Sequence, residues 1–194
     1  MIIGDRVMAR LETAHTRGLR DFFGFYKSFD VALACPFEDV EIPDDNLRRK
    51  TFDFYDSIGN MVKKLGKRPY LPHREIDLNW EPRKIFRLVN EIVIPMCDIV
   101  LTDVHIPSHA AGIMMGSAVI SRIPLIYFYD EYADLETLKV NVTEISSLEA
   151  KSYIKDWGFD SNTSVVDLIE SQDNGEKLSR LEISLKKFYE TYKS

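Results

Sequence analysis

The chain has 194 residues, 45% of them hydrophobic and 29% charged, with 25 Lys+Arg against 31 Asp+Glu for a formal net charge of -6. Such a size and balance suit one globular domain with a real core, not a disordered or fibrous chain. The acidic balance disfavours nucleic acid, which asks for a basic face, and no stretch approaches the roughly 18–20 uninterrupted apolar residues of a membrane span. Cys35 and Cys97 lie in apolar segments and read as buried free thiols, as in a reducing cytoplasm. Asp5, Arg6, Arg10 and Glu12 stand where a signal peptide would need an apolar run, so a cytoplasmic location is expected and the sequons at Asn141 and Asn162 read as chance.

Residues 1–29 read as an amphipathic leader. Val7, Leu11 and Ala14 recur at helical spacing, then Phe22, Phe23, Phe25, Tyr26 and Phe29 crowd together. This leader is expected to pack on the domain or on a second subunit; a ligand lid is the other reading. Residues 31–35 are a short apolar strand ended by Pro36. Leu47, Thr51, Phe54, Tyr55, Ile58, Val62 and Leu65 repeat at three and four and predict a helix closed near Gly66. The spacing from Gly59 to Gly66-Lys67 is wrong for a phosphate-binding P-loop. Residues 68–72 predict a second strand, and Ile85, Leu88, Val89, Ile92, Val93 and Met96 a second helix bent near Pro95. A third strand follows at 98–104, a third helix at 109–122, a fourth strand at 124–129 and a weaker fifth at 139–145. Asp173-Asn-Gly175 marks a turn, after which Leu178, Leu181, Leu185, Phe188 and Tyr192 predict a last amphipathic helix.

Apolar strands alternating with helices imply a mostly parallel, doubly wound α/β sheet of about five strands, flavodoxin- or Rossmann-like, with helices on both faces. The expected layout is the leader at 1–29, the α/β domain at 30–145 and a helical segment at 146–194 packed on that domain. Ligands of such sheets bind at the carboxyl ends of the strands. Pro36, Phe37, Glu38 and Asp39 follow the first strand, His73 and Arg74 the second, residues 103–108 the third, and Asp130 and Glu131 the fourth.

Ser108 precedes the third helix, where its hydroxyl can cap a free N–H and the next amides can hold an anion; the ordinary reading is a plain N-cap. Gly112 and Gly116 leave open space on that helix. Glu38, Asp103, Asp130 and Glu131 can do glycosidic acid–base work or bind sugar hydroxyls, or can be solvated loop acids. His73 and Arg74 can meet a carboxylate or phosphate, or pair with a neighbour such as Glu75. His105 and His109 flank Ser108, but no third ligand stands at a convincing spacing, so no metal is expected. Phe37 and Tyr129 can stack on a base or simply pack the core.

Residues 31–130 resemble the nucleoside 2-deoxyribosyltransferase superfamily, which includes the 2'-deoxynucleoside 5'-phosphate N-hydrolases. Leu33-Ala-Cys-Pro36 is similar to its first-strand Leu-Ala-Gly-Pro, and Asp98-Ile-Val-Leu to its third strand. Pro107-Ser108 with Gly112-Ile-Met-Met-Gly116 is similar to its Pro-Ser and Gly-Tyr-Glu-Leu-Gly, and Arg122-Ile-Pro124 to its Gly-Lys-Pro. The resemblance implies a glutamate in the glycine-flanked helix that attacks the anomeric carbon, a helper aspartate one helix earlier, and a serine that holds a 5'-phosphate in the hydrolase branch. Ser108 matches the serine. The glutamate falls on Met114, the aspartate on Asn90, the first-strand tyrosine on Ala32 and its glycine on Cys35. Methionine cannot form a glycosyl ester, and asparagine is no acid or base near neutral pH.

The expectation is therefore a protein that binds a nucleoside, nucleotide or related phosphorylated sugar without the family's glutamate chemistry and without a cofactor. Its expected contacts are Pro36, Phe37, His73, Arg74, Asp103, Ser108, Gly112, Met114 and Tyr129, and it is expected to be a homodimer or higher oligomer. One alternative is a divergent deoxyribosyltransferase or N-glycosidase using Asp103, Glu38 or Asp130. Another is a structural oligomer with a vestigial pocket, which an apolar plug at Met114 and Met115 would favour.

Overall fold

A computed structural model describes residues 29–37, 41–77, 79, 81–106, 108–130 and 165–192. Five parallel strands form one sheet: β1 (Val31–Ala34), β2 (Pro69–Tyr70), β3 (Ile99–Asp103), β4 (Leu125–Tyr129) and β5 (Val165–Glu170), in the order β2-β1-β3-β4-β5. The helices are α1 (Asp45–Lys64), α2 (Pro72–Glu75), α3 (Pro82–Arg87), α4 (Ile94–Met96), α5 (His109–Ser121) and α6 (Asn174–Tyr192). The expected doubly wound α/β fold is thus present. Its strand order reverses between β1 and β3, the switch point at whose carboxyl ends sheets of this kind bind ligands.

Strand alternation builds two cores. Val31, Leu33, Cys35, Ile99, Leu101, Ile126 and Phe128 face α1 and α6, where they meet Tyr55, Ile58, Val62, Leu181, Leu185 and Phe188. Ala32, Ala34, Val100, Leu125 and Tyr127 face the other way, onto Val89, Val93, Met114 and Ala118. Strands buried on both faces must be apolar throughout, which is why they were legible as strands.

The helix ends follow local chemistry. The Asp44 side chain accepts the Leu47 N–H at 2.7 Å and starts α1; Lys63 and Lys64 lie in its last turn, and Gly66 takes a left-handed φ of 73° just beyond. Asp173 Oδ1 accepts the Glu176 N–H at 2.7 Å, so the Asp-Asn-Gly turn is the start of α6 itself. The bend expected near Pro95 is a π-helical turn, Leu88–Val93, in which the Ile94 N–H reaches back to the Val89 carbonyl. Proline lacks an N–H and crowds the carbonyl four residues earlier, and one extra residue in the turn relieves both.

The weak strand at 139–145 and all of the leader except Phe29 lie outside the described residues. The fifth strand of the described sheet is Val165–Glu170, inside the segment expected to be helical. Among the described residues it is an edge strand, paired with β4, and its mixed Val-Val-Asp-Leu-Ile-Glu pattern lacks the all-apolar signature of the inner strands.

Candidate functional site

At the switch point, β3 sends consecutive side chains to opposite faces. Asp103 points to the α1 side and Thr102 to the α5 side.

On the α1 side, Tyr55 Oη donates to Asp103 Oδ2 at 2.6 Å. Asp103 Oδ1 accepts the His105 N–H at 3.0 Å and also meets His105 Nδ1. Asp103 is 1% exposed. Burial lowers the His105 pKa, but the charge and hydrogen bond of Asp103, joined by Asp130, outweigh it and leave the imidazole above its ordinary value of 6.5. Burial, then the Asp103 charge, push the Tyr55 phenol and the Cys35 thiol well up. Asp130 pairs with the buried Lys177 ammonium of α6. Asp103 and Asp130, the two described carboxylates considered as substitute catalysts, are therefore engaged within the fold; Glu38, the third, lies outside the described residues.

On the α5 side, Ser108 caps α5: its Oγ accepts the Ala111 N–H at 2.9 Å. The same hydroxyl donates to Glu41 Oε1 at 2.6 Å; Oε1 also takes the Ala110 N–H at 3.4 Å, and Oε2 takes the Phe37 N–H at 3.1 Å. The anion position at the α5 N-terminus is thus held by the chain's own carboxylate. Glu41 escaped sequence reasoning because nothing local links it to a serine on another element. Asn90 Nδ2 donates to the Phe86 carbonyl at 3.0 Å, and the Asn90 carbonyl accepts the Ser117 hydroxyl at 2.6 Å. Met114 is 2% exposed and lies in the core beneath α5, with Met115 packed against it.

Among the described residues five buried side-chain atoms have no hydrogen-bond partner: Thr102 Oγ1, Tyr70 Oη and Asn90 Oδ1, in residues on the α5 side of the sheet, and His73 Nδ1 and Tyr189 Oη elsewhere. Tyr70 packs over the core shared with Met114, and Thr102 continues the Val100 side of β3. Ala32 and Ala34 supply little bulk between them. An unsatisfied buried polar atom costs on the order of 1–3 kcal/mol, so each of the three asks for a partner. Gly112 and Gly116 are half-buried on α5, and a Cβ on either would meet nothing within 4 Å.

The other expected contacts are dispersed. His73 Nε2 lies 3.0 Å from Asp56 Oδ1, and Arg74 binds the same carboxylate, stapling α2 to α1; the expected neighbour Glu75 is not the partner. Phe52 stacks on the His73 ring with centroids 4.9 Å apart. Tyr129 Oη donates to Glu170 at 3.0 Å and lines an open cavity of about 670 Å³ with Ser171, Asp173, Glu176 and Arg180. Pro36 and Phe37 are buried at the end of β1. His109 is exposed on α5. Among the described residues no group of three or more His, Cys, Asp or Glu is arranged to hold a metal ion, and no helix is long and apolar enough to cross a membrane.

The chain matches no protein-family model, no curated protein and no solved structure. The resemblance to the deoxyribosyltransferases therefore rests on the motifs themselves.

Proposed function

We propose that the chain binds a nucleoside or nucleotide at the switch point, on the α5 face, without the glutamate-based N-glycosidic chemistry of the superfamily it resembles. The observation that supports this reading is the set of three unpartnered buried oxygens on the α5 side of the sheet, Thr102 Oγ1, Tyr70 Oη and Asn90 Oδ1. Two hydroxyls that can donate or accept and one acceptor are what a hydroxyl-rich, nitrogen-rich ligand would satisfy. Asn90 and Met114 stand where the family places its helper aspartate and nucleophilic glutamate, and neither can do that work. The bound ligand would keep its glycosidic bond.

The same face supports an oligomer. Phe86, Ile113 and Ile120 are 48%, 44% and 73% exposed, and α5 is apolar all round, as helices covered on every side are. A homodimer or higher oligomer is part of the proposal.

A second reading, a structural oligomer with a vestigial pocket, draws on the burial of Met114. Calorimetric titration with the four common deoxynucleosides and their monophosphates separates the two, together with Thr102→Val. Ligand binding predicts micromolar association, weakened at least about tenfold by the lost hydroxyl, and negligible free-base release. Absence of binding, with a Thr102→Val protein as stable as the parent or more so, would favour the vestigial pocket, since valine then removes an unsatisfied group at no functional loss. Base release at about 1 per second would defeat the non-catalytic part.

A further inference from the structure

We infer that His105, aimed by Asp103, is a general base that activates water against small uncharged carboxylic esters at the carboxyl ends of β3 and β4. This inference does not depend on the nucleoside reading and uses the α1 side of the sheet.

The tautomer follows from the carboxylate. Asp103, whose side chain is fully buried, accepts the Tyr55 hydroxyl at 2.6 Å and the His105 backbone N–H at 3.0 Å, and it meets His105 Nδ1. A carboxylate accepts and does not donate, so the ring proton sits on Nδ1 and the lone pair of the neutral imidazole on Nε2. Nε2 has no partner among the described residues, and the His105 side chain keeps 18% of its surface open.

Strand register places this nitrogen at a ligand-binding edge. Asp103 pairs with Phe128 across β3 and β4, and the Val104 N–H continues the ladder to the Phe128 carbonyl at 3.1 Å. His105 and Asp130 each stand two residues beyond that pair. The charged and titratable groups around the imidazole are Asp103 of β3, Tyr55 of α1, Asp130 after β4 and its partner Lys177 of α6, with the Cys35 thiol at the end of β1 within the field of Asp103.

That charge pattern selects the reaction. With the imidazole neutral, two carboxylates stand against one ammonium, which repels an anionic phosphate ester and tolerates an uncharged carboxylic ester. The imidazolium formed by proton transfer restores the balance, so Asp103 and Asp130 stabilise the charge that develops on the base. Burial pushes the imidazole down, and the two carboxylates more than offset it, leaving it above 6.5. Among the described residues no hydroxyl or thiol bonds to Nε2, so the nucleophile is water. Nε2 takes a proton from water as the water oxygen bonds to the ester carbonyl carbon. The C–O bond to the alcohol then breaks, and the Nε2 proton passes to the departing oxygen, giving a carboxylic acid and an alcohol. Asp103 is a positioning residue in this step.

The test is hydrolysis of p-nitrophenyl acetate by the full chain from pH 5 to 9. The wild type is expected to exceed an equal concentration of free imidazole at least about tenfold, with a rate that rises through a midpoint above 6.5. His105→Gln should lose at least about tenfold, while His109→Gln, exposed on α5, should keep the rate. Asp103→Asn keeps the shape, but its amide can donate to Nδ1 and turn the tautomer, so the rate and the midpoint should both fall. Nitrogen NMR of the wild-type ring needs no variant and should show the Nδ1–H tautomer when neutral. A rate no greater than that of free imidazole, a folded His105→Gln as active as the parent, or an Nε2–H tautomer would overturn the inference.

Discussion

The Ser108 hydroxyl donates to Glu41 at 2.6 Å while accepting the Ala111 N–H at 2.9 Å, so a single oxygen ties the loop after β1 to the first turn of α5. Ser108 is thus both a helix cap and the clasp of a tertiary contact between residues 67 positions apart.

Ser108→Ala should lower stability by about 1–2 kcal/mol, since it removes a cap and a hydrogen bond to a charged partner together. Ser108→Thr keeps the hydroxyl and should recover most of the loss. Urea unfolding followed by circular dichroism measures both. An alanine variant as stable as the parent would mean that the clasp contributes nothing.

Two histidines should tilt stability against pH in opposite directions. Burial lowers the His73 pKa, so its neutral form is favoured in the fold and its contribution is lost as pH falls below about 6.5. His105 is raised by Asp103 despite its burial, so its contribution is complete below about 6.5 and is lost as pH climbs through the raised value. Unfolding free energy measured from pH 5 to 9 should lose its acid-side decline in His73→Gln and its alkaline-side decline in His105→Gln. Asp56 adds a third limb at lower pH. The Arg74 hydrogen bond, aided by His73, holds its carboxyl at about 2, so its contribution is present above 3.8 and lost as pH falls through about 2. Slopes that survive these substitutions would contradict the assignment.

Gly112 and Gly116 sit inside α5 with open space where a Cβ would go. Alanine at either should stabilise the free protein by about 0.5–1 kcal/mol, the ordinary helix-interior difference. If a ligand or a second copy needs close approach to this helix, the same changes should weaken nucleoside binding or oligomerisation. Thermal melts, calorimetry and light scattering on each variant read the three effects separately. Destabilisation by Gly116→Ala would show that the space is not free in solution.

The inner strands were legible because burial on both faces leaves a run of apolar residues, as at Ile99, Val100 and Leu101 of β3. The amphipathic helices α1 and α6 were legible from their spacing, and Ser108 was legible as a cap because capping is a local event. The edge strand Val165–Glu170 was not, because one-sided pairing permits the charges at Asp167 and Glu170 that hide the pattern. Glu41, Tyr55 and Thr102 were likewise invisible as site residues: each takes its role from a partner or a face on another element.

The sequence by itself determined the fold class, the start of α5 at Ser108 and the absence of a glutamate and an aspartate at positions 114 and 90, since these depend on residue identity and short-range periodicity. Only the tertiary structure decided which carboxylate reaches the helix start, that Met114 fills the core, and that Thr102 and Asp103 serve opposite faces of the sheet. Those outcomes depend on how strands register and helices dock, and such contacts bring together side chains whose separation along the chain carries no local signal.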